Sequence, residues 1–156
     1  SDVYKRQIIY QKKKNLSKIQ IIESSILFII LNYFEIASKK LEELSEINFI
    51  SEKNENLKNT IIDTITERVS KEVIQEKINT EYKDLSEEIK ENSNIEMIVR
   101  DKNDQDILDL LNELILDFKE QRNLKKIESL ENELINNLDE NSYSELIKLK
   151  NQLNRE

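Results

Sequence analysis

Chemistry in this chain would have to come from carboxylates, because the side chains that more often supply it are missing. The sequence holds no His, Cys, Gly, Pro or Trp, which removes imidazole bases, thiolate metal sites, disulfides and glycine-built tight turns together. The densest acidic group is Asp101, Asn103, Asp104, Asp106 and Asp109. Its opening is similar to a calcium loop, but the turn glycine is absent and Asn112 stands where a bidentate glutamate is needed. The cluster therefore reads as carboxylates gathered at a helix N-terminus, where each stabilises the helix dipole by about 0.3–1 kcal/mol. The other acids lie scattered among 32, with no His or aromatic platform to make an acid–base pair of any two. No catalytic residue, metal ligand or cofactor-binding residue is assigned to this chain, and no cofactor is expected in it.

Two further features of the N-terminal end carry little. Lys12, Lys13 and Lys14 could meet phosphates, but a three-lysine run beside a helix start reads as a solvated linker. The sequon Asn15-Leu16-Ser17 has no meaning in a cytosolic protein. Residues 1–18 carry six basic side chains and one acidic, so the other 138 hold −13 of a total −8. A body of that charge repels nucleic acid, and direct nucleic-acid binding is not expected.

Length and composition set the class. At 156 residues, with 36% charged and 37% apolar, the chain suits one soluble helical domain or one domain plus an appendage. Ile, Lys and Asn together supply 61 residues while Ala appears once, at Ala37, the mark of AT-rich coding. No secretory leader pattern is present, the longest apolar run is six residues where a bilayer needs about 20, and a cytoplasmic protein with no membrane span is expected. Residues 2–7, DVYKRQ, match one reading frame of a sequencing adaptor. Residues 1–7 are read as a scar, with native sequence from near Ile8, so that the chain is a C-terminal fragment.

The elements that must position any site are helices. Ile19, Ile22, Ile26, Ile29, Ile30 and Tyr33 have helical spacing behind Ser17 as N-cap, and Ile26–Leu31 is apolar on every side, which predicts a helix enclosed by others. Ile36, Leu41, Leu44 and Ile47 predict a second helix over Phe34–Ile47, and Asn48, Ser51, Asn54 and Asn56 a loop. Leu57, Ile61, Ile62, Ile65 and Val69 form a third. Ser70 caps a segment with Val73, Ile74 and Ile78, and Thr80 caps another with Tyr82, Leu85 and Ile89. After polar Glu91–Asn94, a pattern from near Asn103 runs through Leu138 as one long helix or two in tandem. Asp139–Ser142 interrupt it before a last helix with Tyr143, Leu146, Ile147, Leu149 and Leu153. The expected fold is all-α, a helical bundle followed by a long helix and a C-terminal helical hairpin, divided as an 8–18 basic linker, a 19–122 helical bundle and a 123–156 C-terminal helical hairpin.

Two short helices cannot cover Leu138, Tyr143, Leu146, Ile147, Leu149 and Leu153 by packing on each other alone. Periodicity leaves two arrangements open: the hairpin folds back on the bundle, or it presents an apolar face to a partner, since helix-in-groove recognition uses the same spacing.

Two stretches resemble a known family. IIESSILFIILNYFEIASKKLEELSEINF, Ile21–Phe49, resembles the opening of the helicase-binding region at the C-terminus of bacterial replicative DNA primases. LENELINNLDENSYSELIKLKNQLNRE, Leu130–Glu156, is similar to the way alphaproteobacterial primases end. Family members often place His and Pro after the asparagine ending the first helix, where this chain has Tyr33 and Phe34 after Asn32. The resemblance implies a monomeric docking module that seats primase on the N-terminal domain of the replicative helicase. Its contacts would be Tyr143, Leu146, Ile147, Leu149 and Leu153, with Leu134 and Leu138 on the facing helix. The zinc ribbon and the magnesium-dependent polymerase core would lie upstream of this fragment. Two other readings are the similar N-terminal domain of the helicase itself, disfavoured because the chain stops at Glu156 without a nucleotide-binding domain, and a helical scaffold or coiled-coil protein unrelated to replication.

Overall fold

The computed structural model describes residues 17–93, 95–136 and 140–154. Among them are nine α-helices and no strand, an all-α fold as expected. They are α1 (Lys18–Asn32), α2 (Phe34–Ser38), α3 (Leu41–Glu46), α4 (Glu52–Thr66), α5 (Lys71–Glu81), α6 (Lys83–Ser93), α7 (Glu96–Val99), α8 (Asp104–Asn136) and α9 (Glu140–Asn154). The chain divides into two compact units, one ending at Ile115 and the other starting at Leu116, so the boundary falls inside α8. Residues 1–16, which include the adaptor-like segment and nearly all of the basic linker, lie outside the described residues.

The first unit is organised around α1. Ser17 accepts a hydrogen bond from the Gln20 N–H at 3.2 Å and the Gln20 side chain accepts from the Ser17 N–H at 3.0 Å, a reciprocal capping box. Every residue from Ile21 to Leu31 is buried. A helix with no polar face is stable only when enclosed, and α1 packs most extensively on α6 and also against α4. Each Ile or Leu so removed from water contributes roughly 1.5–3 kcal/mol. The buried Ser25 is satisfied within the helix, its hydroxyl donating to the Ile21 carbonyl at 2.7 Å. At the far end the Asn32 amide donates to the Phe28 carbonyl at 2.8 Å, and Tyr33, at φ −133° and ψ 70°, breaks the helix.

Three local expectations are corrected, and one short helix is new. The single helix over Phe34–Ile47 is two, α2 and α3. Lys39 and Lys40 donate to carbonyls only three residues back, Ile36 and Ala37, and the Ser38 hydroxyl takes the Glu35 carbonyl at 2.6 Å, so the α-ladder closes there. The Asn-rich stretch read as a loop is half helix: α4 starts at Glu52, behind the Ser51 cap. Thr80 does not cap a helix but lies inside α5, its hydroxyl donating to the Glu76 carbonyl at 3.0 Å. Ile95 and Val99 are buried around the short helix α7, which the sequence pattern did not reveal.

A chain without glycine must end helices by other means. At the end of α4 the Val69 N–H donates to Thr64 and the Arg68 N–H to Ile65, a Schellman arrangement, and Arg68 occupies the left-handed position at φ 57°. Glycine would adopt that conformation without steric cost, whereas a residue with a Cβ loses about 1–2 kcal/mol.

Candidate functional site

Ionised side chains inside the first unit serve as its loop hardware. Glu23, almost wholly buried on α1, accepts from the Ile50 N–H at 2.6 Å, the Ser51 N–H at 3.5 Å and the Asn54 amide at 3.0 Å. Lys58, equally buried on α4, donates to the Ile47 carbonyl, pairs with Glu55 at 2.8 Å and lies 5.2 Å from the centre of the Phe49 ring. Glu55 in turn accepts from the Phe49 N–H at 3.2 Å. Backbone groups of the Ile47–Ser51 loop are thus held by three charged side chains, where another protein would use turn-forming residues. Sequence reading missed this set, although the signal exists. Glu23 is in register with Ile19 and Ile26, and Lys58 with Ile61 and Ile62, so each is a charge on an apolar stripe. Since the carboxylates accept from backbone or pair with lysine, the arrangement serves structure.

The acidic cluster before α8 also resolves into capping. Asn103 accepts from the Asp106 N–H at 2.8 Å, Asp104 and Asp106 sit in the first turn, and the Gln105 amide donates to Asp109 at 2.9 Å. No group of three or more His, Cys, Asp or Glu side chains able to hold a metal ion occurs among the described residues. An open cleft at the break between α1 and α2 is lined by Asn32, Tyr33, Glu35, Lys71 and Asp104, and brings together one ammonium and two carboxylates.

The second unit presents the apolar side chains proposed for partner contact. Its core is Ile127 and Leu130 of α8 with Leu146 and Leu149 of α9, and half-buried Leu134 and Leu153 pack against it. Sequence spacing identified this hairpin correctly but assigned the two sides of α9 together. Leu146 and Leu149, named as partner contacts, are only 6% and 8% exposed. In the structure they belong to the hairpin's own core. Leu134 and Leu153 contribute chiefly to the same core. Leu138 lies outside the described residues. Tyr143 and Ile147 remain open, at 58% and 41% exposure. Ile135, at 81%, is the most exposed large apolar side chain among the described residues of the hairpin and was not singled out from sequence, because the adjacent Leu134 fits the core stripe and hides it. Two ion pairs link the helices, Lys126–Glu145 at 3.1 Å and Lys150–Glu131 at 3.0 Å. Half-exposed pairs of this kind contribute no more than about 1 kcal/mol each, so they set alignment more than stability.

No helix among the described residues is long and apolar enough to cross a membrane. No protein family, curated protein or solved structure gives a significant match to this chain.

Proposed function

We propose that this chain is a protein–protein docking module acting in the bacterial cytoplasm, the helicase-binding end of a replicative DNA primase, and that its C-terminal hairpin makes the contact. The observation that carries this reading is the hairpin's division of labour. Its core is closed by Leu146 and Leu149, while Tyr143, Ile147 and Ile135 are left in water. Large apolar side chains clustered in the open are a feature of surfaces that meet another polypeptide. The resemblance of Ile21–Phe49 and Leu130–Glu156 to primase C-termini supplies the identity of that polypeptide, the N-terminal domain of the hexameric helicase. The net charge of the body supports a protein partner over a phosphate backbone.

Function follows by tethering. A module held on a ring that encircles DNA raises the local concentration of a linked polymerase to the mM range for a short flexible connection, so weak contacts suffice. Calorimetric titration of the purified chain with the replicative helicase N-terminal domain from the same genome tests the proposal. Binding is expected, and Tyr143→Asp with Ile147→Asp should weaken it at least tenfold, about 1.4 kcal/mol or more. No heat of binding to that domain would remove the helicase from the reading.

A further inference from the structure

Four residues of α8, Leu124, Glu128, Glu131 and Ile135, follow one another at spacings of four, three and four, and so share one stripe. Glu140, Tyr143, Ile147 and Lys150 do the same along α9 at spacings of three, four and three. The 3.0 Å ion pair between Glu131 and Lys150 places both stripes on the same edge of the hairpin. Among the described residues from 124 to 154 the exposed large apolar side chains, Leu124, Ile135, Tyr143 and Ile147, all belong to that edge. The opposite edge is marked by the Lys126–Glu145 pair, with Lys119 and Arg122 on the same stripe as Lys126.

The charge on the apolar edge is one-sided: Glu128, Glu131 and Glu140 against Lys150 alone, and Lys150 is engaged by Glu131. This decides between occupants. A second copy docking by two-fold symmetry would set the same carboxylates against one another. A helix with Lys or Arg beside its apolar residues would meet opposite charge. The seam between two antiparallel helices also suits a third helix, whose i, i+3 and i+4 ridge fills the groove.

We propose that this edge is a docking seam for an amphipathic helix of another protein, with Ile135, Tyr143 and Ile147 as apolar anchors and Glu128 and Glu140 selecting a Lys- and Arg-flanked helix. The inference rests on the hairpin's being the docking element and adds which side of it binds and what chemistry it selects.

Fluorescence anisotropy with the full chain tests it, using two labelled synthetic helices of identical leucine face, one flanked by lysines and one by glutamates. The lysine-flanked helix should bind about tenfold or more tighter, with the preference falling as salt rises. Ile135→Asp with Tyr143→Asp should cut its binding at least tenfold. Glu128→Lys with Glu140→Lys should reverse the preference, and Lys119→Glu with Arg122→Glu should change it less than twofold. All four positions of the first two pairs are exposed, and unchanged circular dichroism certifies the fold; should the aspartate pair lose helicity, the lysine pair still decides. Equal binding of the two peptides, indifference to both edge variants, or a sedimenting dimer abolished by Ile135→Asp would overturn the inference. The helicase N-terminal domain in the same assay separates the two readings. Its failure to bind where the lysine-flanked peptide binds the edge sinks the helicase and keeps the seam. Its binding with indifference to the edge variants does the reverse.

Discussion

The two units of this protein place charge in opposite ways. In the first, between residues 19 and 115, 22 acidic side chains stand against 11 basic ones, and Glu23 and Lys58 are inside, each tied to the backbone of one loop. In the second, nine acidic residues face seven basic ones, the ion pairs are on the outside, and four aliphatic residues make the core. An interior charge with several partners specifies one loop conformation, because an uncompensated buried ion is costly. An exterior pair with a thin core specifies alignment cheaply and leaves apolar surface in water. The first unit fixes a loop with interior charge, while the second closes a small aliphatic core and keeps its ion pairs on the surface.

Breaking the thin core should have the largest effect. Leu146→Ala with Leu149→Ala removes half of the four-residue cluster, and at about 2–5 kcal/mol for each buried leucine the hairpin should lose its helical protection. Hydrogen exchange should show fast amides throughout α9 with α1 still protected, and uniform loss in both helices would mean that the two units are one cooperative body.

Glu23→Ala comes next. It strips partners from the Ile50 and Ser51 N–H groups and the Asn54 amide, for an expected loss of about 2–4 kcal/mol in urea unfolding of the chain. Glu23→Gln, which keeps the shape and the acceptor oxygen but drops the charge, should lose distinctly less. Equal losses would make the site a matter of volume and not of hydrogen bonding.

The smallest effect sharpens the comparison from the other side. Arg68→Gly relieves the left-handed strain at the end of α4 and should raise stability by up to about 1 kcal/mol, read as a shift of the thermal midpoint by a few degrees. A loss instead would mean that the Arg68 side chain contributes more than its backbone costs.

Legibility differed between the units for the same reason. The Ser17 and Ser70 caps, the enclosed α1 and the long α8 were readable because each depends on residues within one or two turns of one another. The split of Phe34–Ile47 was not, since the Ser38 hydroxyl takes a helical carbonyl there, and neither was the hold of Glu23 on the Ile50 and Ser51 N–H groups, 27 and 28 positions along the chain. In the hairpin, spacing located the apolar residues. It could not assign Leu146 and Leu149 to the inside and Tyr143 and Ile147 to the outside, because all four fall within one broad stripe of α9.

Sequence alone determined that this protein is helical, that α1 is enclosed, and that the chain ends in an amphipathic hairpin, because periodicity and capping are local and survive without knowledge of any neighbour. Tertiary structure decided which edge of that hairpin stays in water and which charges move indoors. Those outcomes depend on the rotation of each helix about its own axis, and only contacts between distant segments set that angle.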